Sequence, residues 1–218
     1  MSPPEEIGYA LRRLRRRRIR RWGFNRAAVA VTIVTGADGP AVLLTRRADS
    51  VHPRSGQLAL PGGRTDRWES ASAAACRQLA DNLGMRLPPE SVLGMLDDYP
   101  AHARLVITPV VLWAGEHGEG LRMNRALQQA RADEVLAVPF ADLDVEPVFV
   151  ASSESELPEI RLPLCGEWLH APTAAVLHQF REVVIHRRRT RVAHRQRVGG
   201  GRQRQKGLPL RSGTVVDS

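Results

Sequence analysis

The stretch from Leu60 to Met85, LPGGRTDRWESASAAACRQLADNLGM, constrains the fold of this chain more than any other. A strand-like ending, a Gly-Gly turn and an acidic loop lead into an alanine-rich helix that closes on Gly84, a residue suited to the left-handed conformation at a helix end. Positions three and four apart are neighbours on a helix. Ala71, Ala75, Leu79 and Leu83 therefore line a face that can pack on a sheet, while Gln78, Asp81 and Asn82 share another. Glu69 and Arg77 flank the polar group, and together these residues sit where a phosphate-bound metal can be held.

Gly63, five residues, Glu69, seven residues, Arg77, then Leu79, Gly84 and Met85 reproduce the frame of the Nudix box, and the chain resembles that hydrolase family. The resemblance covers about Ala27 to Ile185 and implies an α/β fold, a Nudix-like α/β/α sandwich with a mixed β-sheet. The order of strands and helices points the same way. By resemblance, Mg2+ or Mn2+ would be held by Gly63 through its backbone, Glu69, Gln78, Asp81 and Asn82. Glu69 and Asp81 would be the catalytic carboxylates of the box, and Arg77 would orient a carboxylate. The family has three glutamates where this chain has Gln78, Asp81 and Asn82, so two formal charges are replaced by amides. Neutral oxygens bind a hard cation more weakly than carboxylates, and an amide is no general base. Glu134 is the candidate for the further carboxylate that the family places outside the box.

A narrower resemblance precedes the box. Leu43-Leu44-Thr45, Arg47-Ala48, Gly56 and Pro61-Gly62-Gly63 look like the motif of coenzyme A diphosphatases, with His52 where that branch has a further arginine and Leu60 where it has Phe. VLGMLDDYP followed by VITPVVLW resembles the same branch. Arg47, Arg54, Gly62 and Gly63 would then contact substrate, since guanidinium matches phosphate geometry.

The net charge of +9 describes the ends rather than the body. Arg12 to Arg21 and Arg187 to Arg211 hold 18 of the 32 Lys and Arg residues, leaving the segment from Trp22 to His186 acidic, at −6. Residues 1–21 read as a basic N-terminal extension, 22–186 as the Nudix-like domain and 187–218 as a basic, flexible C-terminal tail. In the N-terminal segment Leu11, Leu14 and Ile19 give a short helix an apolar contact, with the arginines toward solvent or an anionic partner such as nucleic acid. Trp22 and Phe24 alone make no stacking platform for single strands. Two distant cysteines, Cys76 and Cys165, suggest neither disulfides nor a zinc site and fit a reducing cytoplasm. No run approaches the roughly 18 apolar residues of a membrane span.

Ala27 to Thr35 and Ala41 to Thr45 form a hairpin signal, with a polar loop before the box. Strands are expected at Ser91–Leu96, Leu105–Trp113 (interrupted by Pro109), the LAVP run after Val135, Val148–Ser152 and Ile160–Leu164. Asp97 to Pro100 reads as a turn, and a second helix opens at His170–Thr173 and runs to about Ile185, with His170 and His178 as structural or solvated residues rather than ligands. Three functions stay open. The chain is a Nudix-type diphosphatase with a weakened site, acting on coenzyme A or a related nucleoside diphosphate derivative. Alternatively, it is an inactive descendant that keeps nucleotide or protein binding. Or its basic ends bind nucleic acid beside a passive domain.

Overall fold

The computed structural model describes residues 2–20, 22–36, 38–46, 56–101, 104–115, 134–151 and 158–192. The first helix, α1 (Pro3–Arg13), leads to a mixed eight-stranded sheet. Its strands are β1 (Asn25–Gly36), β2 (Gly39–Arg46), β3 (Leu58–Ala59), β4 (Gly62–Arg64), β5 (Val92–Met95), β6 (Tyr99–Ala101), β7 (Leu105–Gly115) and β8 (Glu134–Pro139). Helix α2 (Ala71–Leu83) falls between β4 and β5. The backbone order is β3-β2-β1-β7-β5, with β4 beside β1, β6 beside β7 and β8 beside β2. The β1–β7 pair is parallel and the other pairs are antiparallel. A three-stranded antiparallel sheet follows from β9 (Val148–Val150), β10 (Glu159–Leu164) and β11 (Glu167–His170), then α3 (Thr173–Phe180) and a π-helical turn, Arg181–Ile185.

Side chains of a strand alternate between the faces of a sheet, and the long central strand β1 shows how this sorts the layers. Ala28, Ala30 and Val34 face the core beneath α2, whereas Val29, Val31 and Ile33 face the core shared by α1, α3 and the small sheet. Alanines on the strand meet Ala74 and Ala75 of the helix in one cluster, so α2 lies close to the sheet. The helix starts on Ser70, whose hydroxyl accepts from the Ala73 N–H at 3.1 Å, and ends on Gly84 at φ 66°. The expected packing face includes Ala74 and Asn82 besides Ala75, Leu79 and Leu83, while Ala71 is only partly covered.

Four expectations change. Leu105 to Gly115 is one uninterrupted strand through Pro109, which sits opposite Val29 in the parallel pair with β1. The stretch Asp97–Pro100 is no exposed turn: Tyr99 begins β6, and both aspartates are buried. Strand β11, unforeseen in the sequence, pairs with β10 across Cys165 and Gly166, both at positive φ. Finally, α1 is docked rather than free, with Ile7, Ala10, Leu11 and Leu14 buried in the core beneath α3.

The basic ends are docked with it. Asp98 accepts from Arg16 Nη2 at 2.5 Å, the Ile19 N–H at 2.9 Å and the Thr108 hydroxyl at 2.8 Å. Asp97 accepts from the Arg17 N–H at 2.7 Å, Gln179 Nε2 at 2.9 Å and Arg191 Nη1 at 2.7 and 2.9 Å. Arg16 and Arg191 thus point inward, because two buried carboxylates need cationic partners. The tail beyond Val192 lies outside the described residues.

Candidate functional site

Strand β4 builds the turn that α2 leans on. It pairs with β1 through Ala28↔Gly63 and Val29↔Gly62. A Cβ on Gly62 would stand 2.6 Å from Val29 Cγ1 and 2.7 Å from the Ala28 carbonyl oxygen, and one on Gly63 would stand 2.5 Å from the Gln78 amide. Backbone leaves no room for a side chain at Gly62, whereas one at Gly63 would have to push the Gln78 amide aside.

Arg77 organises the polar face. Its Nε and Nη2 donate to Glu69 Oε1 and Oε2 at 2.9 and 2.8 Å, a bidentate pair, and Nη2 also reaches the Arg64 carbonyl at 3.1 Å. Glu69 further accepts from the Asp66 N–H at 2.8 Å. The hydrogen bond from Arg77 outweighs burial and holds the Glu69 carboxyl below its ordinary range. Arg77 in turn is held above the usual guanidinium value by Glu69.

The remaining box residues divide. Gln78 is satisfied when its amide N–H donates to the Gly62 carbonyl at 3.2 Å and its carbonyl accepts from Arg77 Nη1 at 2.8 Å. Asn82, only 4% exposed, donates to the Gln78 backbone carbonyl at 2.7 Å. Asp81 is 54% exposed and lies 3.7 Å from Arg77 Nη1. The fold therefore brings Glu69, Gln78 and Asp81 to Arg77, with Gly63 against the Gln78 amide and Asn82 bonded to the Gln78 backbone.

This donor set does not fit a carboxylate cage for Mg2+ or Mn2+. A hard cation takes several oxygen ligands, carboxylates foremost. Both Glu69 oxygens are engaged by Arg77, the Gly62 carbonyl has an amide donor, and the two solvent-facing carboxylates, Asp66 and Asp81, lie 3.6 and 3.7 Å from the Arg77 guanidinium. Among the described residues no three His, Cys, Asp or Glu side chains gather into a metal-binding group.

Glu134 stands apart from the box carboxylates. On β8, Val135 packs toward the α2 core while Leu136 and Val138 pack toward the other core, so alternation turns Glu134 to the side away from α2. There it accepts from Arg46 Nε at 2.7 Å, and Arg46 Nη2 bonds Glu167 at 2.7 Å. Arg47, Arg54 and His52 lie outside the described residues.

Gly62 also opens on a cavity of about 180 Å³ on the far side of the sheet, between β3 and the start of α3. Gln57, His170 and Thr173 are its polar walls, and Leu58 and Leu60 its apolar ones. His170 Nδ1 lies 3.1 Å from Glu159 Oε1, which orients the ring. Burial would raise the Glu159 carboxyl, but His170 and Arg161 together lower it. The sequence singled out none of these polar residues as ligand contacts, since β3 and the α3 start are more than 100 residues apart in the chain and only the fold joins them.

The family model for the NUDIX domain matches residues 24–158. Among curated proteins, the uncharacterized Nudix hydrolase NudL of Yersinia enterocolitica is 34% identical over 86 residues, covering 39% of this chain and 44% of the relative. The NudL of Cronobacter sakazakii is 38% identical over 88 residues, with 39% and 44% covered. The chain thus spans less than half the length of these curated relatives. Among solved structures, the Nudix hydrolase RenU from M. Smegmatis is similar at a TM-score of 0.47 and 25% identity, covering 77% of this chain and 91% of that one. The NUDIX domain of Shewanella oneidensis NrtR, complexed with ADP ribose, is similar at a TM-score of 0.39 and 26% identity, covering 56% and 76%.

Proposed function

The chain belongs to the Nudix family, and from that premise we propose that it binds a diphosphate-linked nucleotide of the coenzyme A class at the Gly62–Gly63 turn without appreciable hydrolysis. The observation that carries this reading is the box itself. Its turn, its Glu69–Arg77 pair and the cavity beside Gly62 are kept, whereas Gln78 and Asn82 spend their amides on the scaffold. Diphosphate hydrolysis by metal-activated water needs charge neutralisation and a base. Of the positions Gly63, Glu69, Gln78, Asp81 and Asn82, Asp81 alone faces solvent with a carboxylate, so binding outlasts turnover.

The coenzyme A reading is supported by the motif residues Leu43-Leu44-Thr45 and Pro61-Gly62-Gly63, of which Gly62 lines the cavity, with Arg47 and Arg54 as the proposed phosphate contacts. In this reading Glu134 serves as the carboxylate that holds Arg46 rather than as the base. Both cysteines are free, and among the described residues no helix is long and apolar enough to cross a membrane; we take the free thiols as support for a reducing, cytoplasmic setting.

A second reading, a diphosphatase of reduced rate using Mg2+ or Mn2+, is favoured by Asp81 and the Gly63 backbone and is separated by one experiment. Coenzyme A binding is measured by calorimetry without metal, and product release with each cation, for the wild type and for Gln78→Glu with Asn82→Glu. We expect binding in both proteins and a hydrolysis rate at least about 100-fold higher in the double variant, the lower end of what a positioned base contributes. Equal rates in the two proteins refute the proposal, and so does wild type that fails to bind.

A further inference from the structure

The two basic runs, far apart in sequence, are folded into one groove. Arg187 of the C-terminal run donates to the Glu6 carbonyl at 2.8 Å and to its carboxylate at 2.9 Å. Four residues on, Arg191 donates to the Leu14 carbonyl at 2.8 Å while paired with Asp97. These bonds lay the segment after α3 along α1. Between them opens a cavity of about 480 Å³. Its floor is apolar, made by the buried side chains of Ala10, Leu14 and Val183, and its rim carries Arg13, Arg187, Arg188 and Arg189.

Two of these cations are already compensated, Arg187 by Glu6 and, at 3.7 Å, Arg188 by Glu182. Arg13 and Arg189 have no carboxylate partner among the described residues. Tyr9 stands at the mouth, 46% exposed, its hydroxyl accepting from Arg13 Nη1 at 3.0 Å and its ring 5.7 Å from the Arg13 guanidinium. Arg12, Arg15, Arg17, Arg18 and Arg20 continue the positive surface beyond it, all exposed.

We propose that this groove between α1 and the segment after α3 binds single-stranded nucleic acid, with one base stacked on Tyr9 over the apolar floor and phosphates on Arg13 and Arg189. An apolar hollow whose rim carries two guanidiniums without carboxylate partners, Arg13 and Arg189, suits a flat, uncharged base joined to phosphates. A chain of further arginines suits a ligand whose phosphates repeat. A duplex keeps its bases stacked and inaccessible to such a hollow, so a single strand fits better. A lipid surface is disfavoured because the groove's apolar residues form a recessed floor instead of projecting. Trp22, fully exposed just past Arg20, is the residue a bilayer would use, and vesicles are therefore an arm of the test. The acidic body repels polyanions and so directs them to this face.

The test is fluorescence anisotropy of the full-length chain with a labelled RNA or DNA strand of roughly ten nucleotides, within the range of single-strand sites. Its duplex and vesicles of mixed phosphatidylglycerol and phosphatidylcholine are the alternatives. Tyr9→Ala should weaken strand binding at least about fivefold, as loss of one stacked base does, and Tyr9→Phe should keep it. Arg13→Gln with Arg189→Gln should reduce the slope of log affinity against log salt by about 1.4, for two phosphates of a single strand. All three proteins should melt as the wild type does, since the changed side chains are exposed. The proposal is overturned if the strand does not bind, if vesicles or duplex bind more tightly, or if Tyr9→Ala and the double arginine variant both behave as wild type.

Discussion

Replacing Asp98 by Asn tests whether a buried carboxylate holds the N-terminal segment on the domain. The Asp98 side chain has no solvent exposure and accepts from Arg16, the Ile19 N–H and the Thr108 hydroxyl, with Arg26 at 3.6 Å. Asn keeps the shape, removes the charge and turns an N–H2 toward groups that are donors. Breaking one side of a buried pair costs about 3–5 kcal/mol. Converted at about 2–4 °C per kcal/mol for a chain of this size, that is a fall of about 6–20 °C in Tm. The same change should expose bonds after Arg15 to Arg20 to trypsin, because the segment loses its anchor. Burial alone would raise the Asp98 carboxyl, but Arg16, Ile19 and Thr108 together hold it below its ordinary value. A depressed folded-state pKa stabilises above the unfolded value, about 3.9, and that contribution disappears as pH falls through the folded value. The wild-type advantage over Asp98→Asn should therefore be flat from pH 7 to 5 and shrink below about pH 3.9. Urea denaturation across this range decides the matter. A difference under about 1 kcal/mol at pH 7 would lie below even a typical charged hydrogen bond and would refute the reasoning; so would a gap that stays constant to pH 3.

Three further outcomes are expected. Gly62→Ala puts a methyl 2.7 Å from the Ala28 carbonyl oxygen and 3.0 Å from Val29 Cα, both backbone, and should cost about 1–3 kcal/mol in chemical denaturation, as overpacking does, and weaken coenzyme A binding. Mg2+ should leave the wild-type melting temperature unchanged. In Gln78→Glu with Asn82→Glu, at about 100 times its Kd, it should add about 2.7 kcal/mol, or about 5–10 °C by scanning calorimetry. Glu69, held below its ordinary value by Arg77, contributes stability above the unfolded pKa of about 4.3 that is lost as pH falls through the lower folded value, and Glu69→Gln should abolish this part of the acid transition.

What could be read from the sequence was local. The 3.6-residue period of α2, Ser70 and Gly84 at its ends, and the β1–β2 hairpin follow from neighbours in the chain, and the fold keeps them. What escaped was long-range. Asp97 and Asp98 carry turn chemistry in any local window, and nothing in that window announces partners at Arg16 and Arg191, about 80 and 94 positions away. Strand β11 was hidden for a related reason: its hairpin turns on Cys165, at φ 53°, a residue without the turn preference of Asn or Asp. Spacing set Gln78, Asp81 and Asn82 on one helical face, yet it could not say that Asn82 is buried or that strand alternation turns Glu134 away from α2.

The two amides of the box belong together physically. Were residue 78 a glutamate in this conformation, one carboxylate oxygen would face the Gly62 carbonyl oxygen at about the 3.2 Å now bridged by an amide N–H. Two oxygens at that distance repel unless a proton or a cation lies between them. Gln78 supplies the hydrogen itself and keeps an acceptor for Arg77, while Asn82 supplies another to the helix backbone at Gln78. The turn therefore closes on α2 with the Gly62 carbonyl and both ends of the Gln78 amide met by protein groups. An acid at either position alone would remove one of these donors without rebuilding a cation site, so restoring charge one residue at a time should weaken the fold before it restores chemistry.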